Sequence, residues 1–522
     1  HNFISGAAVL ALAVAVTKVL GALYKIPLGN LLDKEGMAHF YAAYNIYNLL
    51  LVLSTAGLPL ALSRLVSRAA AQGRLNAQRR IFRTALALLA VIGLVCSAVM
   101  CLFPQVLSGL LHDSLAAPAI RVLGPAVLFV CLTSAIRGYT QGLGDMTPTA
   151  VSQMTESAGK LVIGLALCLV LLHRGADSSL CAAGAIAGVT AGSLLSLTVL
   201  TVFLLRRRDR AAVDVPPARS AVLRELLTAG IPITLGAAGM SLITLLDQAL
   251  VMSTLQNTLG YTEAAATALY GEYTFGMTLF ALPPSFIYPV TVSLVPDISA
   301  ALARGDRPAA GRSAAAALKL TTLIALPTGA GLSVLAGPIL RLLYPAVPDT
   351  AAAAAYHLTI LGIACIFVCL MVATNGVLQA YGKEYIPVVT LLCGGILKII
   401  TNYLMVGDPA TNVRGAPVST LYCYGLIVVL NLIAIARCVP ERPSYLRLFA
   451  RPVLITAVMA LAARSSYGLL ARSLPERWAV LPAIAVAVVV YGVLVLALGA
   501  VARRDVLDLP KGEKIARMLH LH

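Results

Sequence analysis

The chain has 522 residues, of which 59% are hydrophobic and only 12% charged, with a mean hydropathy of +0.88. This excludes an ordinary water-soluble domain and makes lipid the expected solvent for most of the chain. A net charge of +17 would suit nucleic acid, but the basic residues cluster between apolar runs, as a membrane topology requires, so no nucleic-acid partner is expected.

Fourteen apolar segments follow in order, at approximately 3–23, 40–66, 82–107, 119–140, 149–172, 180–205, 222–252, 264–299, 314–343, 353–380, 386–407, 414–437, 450–470 and 478–502. The predicted class is therefore an all-α polytopic membrane protein with about 14 transmembrane helices. The first segment is too long for a signal peptide and is read as a retained span, while His1 reads as a remnant of truncation or tagging. Segment 1 carries Lys18 within the apolar run, and segment 2 carries Asn45 and Asn48. Such groups at membrane depth need a polar cavity or a partner inside the bundle.

If the N-terminus is cytoplasmic, about 26 basic residues fall on that side and about 9 on the other, a strong positive-inside bias. Arg64, Arg68, Arg74, Arg79, Arg80 and Arg83 form one such group; the Arg206–Arg210 run and the tail from Arg503 to Arg517 are others. Both termini are expected on the cytoplasmic side of the membrane that the chain crosses.

An internal repeat defines the architecture. Leu123-Gly124, the Phe129–Leu132 run, Gly138, Gln141, Gly144 and Lys160 recur as Leu361-Gly362, the Phe367–Leu370 run, Gly376, Gln379, Gly382 and Lys398, at a constant offset of 238. Six helices return the chain to its starting side, so the copies are parallel and related by an axis along the membrane normal. The expected organisation is an N-terminal lobe at 1–205, a basic linker at 206–221, a C-terminal lobe at 222–437, an extra helix pair at 450–502 and a tail at 503–522.

Ionisable groups at depth are the site candidates. Glu156 and Lys160 lie four apart on segment 5, in the order that favours an intrahelical pair, which could be a purely structural bridge. The repeat equivalent of Glu156 is Gly394, so Lys398 needs another anion. Asp247 in segment 7 is the proposed partner, with Asn402 one turn beyond Lys398. Lys18 and Lys25 lie about two turns apart on one helix face, where they suit an anionic head group. Snorkelling to the interface is the plain alternative for Lys25. Ten cysteines show no metal or redox spacing, and no His-based or paired-acid motif supports an enzyme.

The Val19–Leu28 run, Tyr44-Asn45-Ile46-Tyr47-Asn48, Ala56-Gly57-Leu58-Pro59 and Tyr270-Gly271-Glu272-Tyr273-Thr274 resemble the stage V sporulation protein B branch of polysaccharide-biosynthesis transporters. That branch belongs to the multidrug/oligosaccharidyl-lipid/polysaccharide (MOP) exporter superfamily and is similar to MurJ-type lipid II flippases. The resemblance implies outward flipping of an undecaprenyl-pyrophosphate-linked saccharide, first of all the peptidoglycan precursor lipid II, by alternating access. The partners it implies are a lipid-linked anionic saccharide and membrane lipid, with a monomeric protein and no cofactor. By resemblance, basic residues of helices 1, 2 and 8 line the cavity. Lys18 matches one such position, Tyr24 occupies a second with Lys25 beside it, and Asn45 occupies a third. Asn48 and Glu272 complete the cavity set. In some relatives an Asp of helix 7 joins groups of helices 11 and 12 around sodium. Asp247 fits the first, and Asn402 and Thr420 fit the others, but Lys398 puts a cation beside them. Competing readings are a flippase for another lipid-linked glycan and a cation-coupled multidrug exporter; a membrane-embedded glycosyl- or acyltransferase ranks below both.

Overall fold

The structure is a computed structural model that describes residues 2–206, 214–287, 298–299, 301–302, 304–439 and 444–499. Regular structure among these residues is helical throughout. Helices α1 (Asn2–Leu31), α2 (Lys34–Thr55), α3 (Leu58–Ala71), α4 (Leu75–Leu102) and α5 (Pro104–Leu110) come first, followed by a 3-10 turn at Ser114–Ala116. Then come α6 (Ala117–Gly142), α7 (Thr147–His173), α8 (Ser178–Leu205), α9 (Arg219–Ser253), a π turn at Thr254–Thr258, and α10 (Glu263–Phe280). The chain continues with α11 (Arg307–Val334), α12 (Ala336–Leu343), α13 (Pro348–Ala380), α14 (Tyr385–Val406), α15 (Gly415–Cys438), α16 (Tyr445–Leu470) and α17 (Glu476–Ala497).

Twelve spans among the described residues are long and apolar enough to cross a bilayer. Two of the fourteen predicted segments are outside that set. Segment 1 is a helix, α1, in which many side chains, including that of Lys18, are outside the described residues; segment 8 is helical to Phe280 and again over 282–287, while 288–297 are not described. The tail at 503–522 and linker residues 207–213 are likewise outside the described residues. The outward faces are those of a lipid-solvated protein: Leu94, Val162, Leu404, Leu461 and Val488 are all exposed.

Packing divides the chain into two compact units, 1–274 with 406–413, and 275–405 with 414–522. In the first unit α7 and α8 approach so closely that a methyl group on Gly188 would fall inside contact distance of the Gly164 backbone and 2.8 Å from the Lys160 carbonyl. Glycine is what lets two membrane helices come this near. Helix α6 packs on α2, α3, α4 and α8, and α9 packs on α2 and α3. In the second unit α13 is the central helix, packed on α11, α12 and α15, and α16 and α17 pair with each other. A buried polar knot joins three of its helices: Asn431 donates to Thr374 Oγ1 (3.0 Å) and Asn375 Oδ1 (2.8 Å) and accepts from Thr390 Oγ1 (2.8 Å).

The duplicated Gly-x-x-Gln-x-x-Gly is the same helix stop twice. At the end of α6, Gly144 (φ +80) donates to Gln141 O and Asp145 to Thr140 O; at the end of α13, Gly382 (φ +70) donates to Gln379 O and Lys383 to Leu378 O. Both are Schellman caps, which need a left-handed residue that glycine supplies without steric penalty.

Candidate functional site

Helix α2 carries a polar seam along most of its length in the first unit. At one end Lys34 Nζ lies 2.9 Å from Glu272 Oε1 of α10. Further along, Asn45 Nδ2 donates to Gln248 Oε1 of α9 (2.7 Å), and Asn48 Nδ2 donates weakly to Ser241 Oγ (3.4 Å). At the other end, where Pro59 at the start of α3 breaks the helical ladder, the Gly57 N–H donates to Thr234 Oγ1 (3.1 Å). The pairing runs antiparallel, up α2 and down α9. Asn45 and Asn48 share a face because they are three apart, and Ser241 and Gln248 because they are seven apart. These bonds exchange freely with water once the helices part, which suits a seam that opens.

Lys25 lies on the adjoining surface. Its ammonium is 3.3 Å from Tyr41 Oη and sits over the rings of Tyr41 (4.7 Å) and Tyr44 (5.3 Å). Aromatic faces stabilise a cation without neutralising it, so the charge is left for an anion. Tyr24, by contrast, is only 1% exposed; its phenol donates to Ala185 O of α8 (2.7 Å) and its ring packs on Phe40. Tyr24 is thus part of the packing between α1 and α8, not of an accessible cavity.

Glu156 corrects a sequence expectation. It pairs with Arg137 of α6 at 3.0 Å, and the same guanidinium donates to Ser152 (2.9 Å) and Ser196 (3.0 Å). The planar fork reaches from α6 to two acceptors on α7 and one on α8, which a flexible ammonium on Glu156's own helix cannot match. Lys160, half-buried one turn away, has no ion pair among the described residues. Asp247 is 4% exposed on α9, next to Gln248.

In the second unit Lys398 is 5% exposed on α14 and Asn402 is 1% exposed one turn on. Asn402 Oδ1 accepts a close hydrogen bond from Ser419 of α15, while Thr420 Oγ1 donates to Ala416 O (3.0 Å). Both groups are thus engaged within α14 and α15. Ser419, Gln248, Ser241 and Tyr41 escaped sequence reasoning because single hydroxyls and amides are common in membrane helices. Only the i, i+7 spacing of Ser241 and Gln248 could have signalled a face.

Residues 3–302 match the family model described as Polysaccharide biosynthesis protein, and residues 232–404 match MatE. Three proteins of Bacillus subtilis (strain 168) are similar along most of their length. The uncharacterized membrane protein YabM is 28% identical over 83% of this chain and 80% of its own. Stage V sporulation protein B is 24% identical over 84% and 85%, and the lipid II flippase MurJ 24% over 89% and 88%. Among solved structures, lipid II flippase MurJ in an inward closed conformation superposes with a TM-score of 0.71 at 15% identity, covering 96% of this chain and 99% of that one.

Proposed function

Because this chain belongs to the polysaccharide biosynthesis protein family of MOP-superfamily transporters, we propose that it flips a lipid-linked anionic saccharide from the inner to the outer leaflet of a bacterial membrane, with lipid II the first candidate cargo. Fourteen spans, cytoplasmic termini and alternating access complete the reading. The observation that carries it is Lys25: a half-buried cation on α1 that lies against the phenol rings of Tyr41 and Tyr44 and has no ion pair among the described residues. An ammonium so placed is attracted to a pyrophosphate, which supplies the missing counter-charge. Lys18, two turns away on the same helix face, is the second proposed contact, with Asn45, Asn48 and Glu272 freed for the head group when the α2 seam opens. Asp247, Lys398, Asn402 and Thr420 are proposed as the coupling set.

The test is outward exposure of lipid II in cells depleted of their own flippase. The parent chain restores exposure, and Lys25→Ala and Lys18→Ala variants of equal membrane abundance reduce it about tenfold or more, the scale of one lost charge contact. Failure of the parent despite membrane insertion removes lipid II as cargo, and another lipid-linked glycan takes its place.

The MatE match over 232–404 and the buried Asp247 favour one second reading, a cation-coupled multidrug exporter. Efflux of a cationic dye that depends on Asp247, without lipid II exposure, would establish it.

A further inference from the structure

His39 of α2 and Asp113, in the segment between α5 and α6, form a buried pair that the seam does not involve. They are 2% and 1% exposed, and His39 Nδ1 lies 2.7 Å from Asp113 Oδ1. The contact has ion-pair distance but not hydrogen-bond alignment, and both carboxylate oxygens of Asp113 are without a hydrogen-bond partner among the described residues. A carboxylate buried in this way is tolerable only if a proton or a cation stays beside it.

The segment that carries Asp113 is held at several points. His112, at φ +53, accepts from Gln256 Nε2 of the π turn (2.7 Å). Glu263, which opens α10, accepts from both the Ser114 N–H and its hydroxyl. Ser179 of α8 donates to Leu115 O (2.6 Å). Residues 112–115 therefore tie α2, α8, the π turn and α10 together at the end of the unit where α1 turns into α2. The other titratable groups here are placed as follows. On α10, Tyr270 interacts electrostatically with both Asp113 and Asp247 of α9, and also with Tyr41 of α2. Lys34 of α2 is neutralised by Glu272, while Asp33 and Asp177 lie toward Cys181 of α8. Arg121 of α6 is exposed.

We propose that the His39–Asp113 pair is a proton-binding site that latches this end of the unit shut. With one proton shared between imidazole and carboxylate the pair is neutral and remains buried. Release of that proton to water leaves a buried charge of minus one, and uptake of a second leaves plus one; either state favours hydration and parting of α2 from residues 112–115. No electron moves. Opening of the latch through the deprotonated state thus releases one proton to water, and closing takes one proton back. The proposal rests on membership of a transporter family and not on the identity of the cargo.

The experiment is hydrogen exchange of the full chain in phosphatidylethanolamine/phosphatidylglycerol nanodiscs, from about pH 5 to 9, which brackets imidazole titration. Protection of residues 111–116 is corrected for intrinsic exchange. The parent should show maximal protection at intermediate pH, falling towards tenfold per pH unit on each side, the slope of one linked proton. His39→Gln leaves the carboxyl alone to titrate, so protection falls only as pH rises. Asp113→Asn leaves the imidazole alone, so protection falls only as pH drops. Opposite single limbs in two folded variants support the site, since a purely structural contact would lower protection equally at every pH. A flat parent profile, or two limbs surviving in both variants, overturns it. Lipid II exposure is not read, so the outcome is separate from that of the cargo assignment.

Discussion

Asp214 caps a helix more than 130 residues before it: its Oδ1 accepts from the Asn76 N–H (2.7 Å) and its Oδ2 from the Ala77 N–H (2.9 Å), at the start of α4. Arg74, in the N-cap position of α4, makes no cap of its own, so a residue from the basic linker region supplies it, and the Asn76 side chain returns a bond to Asp214 O (2.8 Å). Partial desolvation acts to raise the Asp214 carboxyl, but the N–H groups of Asn76 and Ala77 and the nearby Arg74 outweigh it and hold the group below the usual carboxylate range.

The pH dependence of this cap follows from that direction. A carboxyl held low in the folded state contributes its stabilisation above its unfolded value, about pH 3.9, and loses it as pH falls through the lower folded value. Hydrogen exchange at Asn76 and Ala77 should therefore be slow and insensitive to protonation at neutral pH, and lose protection only in strong acid. Asp214→Asn, which retains one acceptor and no charge, should lose several-fold protection at neutral pH and show no acid limb. An unchanged variant would mean that α4 is capped by solvent.

The Arg137–Glu156 pair should behave as a buried ion pair, its side chains being 14% and 22% exposed. Arg137→Leu alone strands the carboxylate and should cost about 3–5 kcal/mol, whereas Arg137→Leu with Glu156→Leu should recover most of it. Lys160→Met should be nearly silent by comparison. Chemical unfolding of the three variants in detergent measures the coupling, and a large loss in the Lys160 variant alone would restore the intrahelical pairing.

Close helix approach makes Gly188→Ala a steric probe. The added methyl meets the Gly164 backbone, which cannot rotate away, so α7 and α8 must separate, at about 1–3 kcal/mol. A drop in melting temperature is expected. Gly144→Ala and Gly382→Ala, where space is open but φ is positive, should each cost about 1–2 kcal/mol by backbone strain alone. Equal effects at both caps would support their equivalence in the repeat.

Parting of α2 from α9 can be tested by locking it. With the ten native cysteines replaced, a chain carrying Asn45→Cys and Gln248→Cys, joined by a short bifunctional reagent, should lose transport and regain it when the link is cleaved. Transport by the locked chain would show that the seam stays closed throughout the cycle.

Much of this was legible in the chain itself. Apolar length determined that the segments are membrane helices, because a backbone in lipid must bond within itself. The offset of 238 picked out two equivalent helix stops, since Gly144 and Gly382 are the left-handed residues that end α6 and α13. The choice of partners was decided by tertiary structure alone. Glu156 turned from Lys160, four residues away, to Arg137 on another helix; Tyr24 turned into α8; Asp214 reached back to α4; His39 met Asp113. Helical periodicity says which residues share a face, but not the neighbouring helix or the rotation at which that face meets it. Those come from close packing of many small and apolar side chains, and only afterwards do the polar groups settle which of them pair.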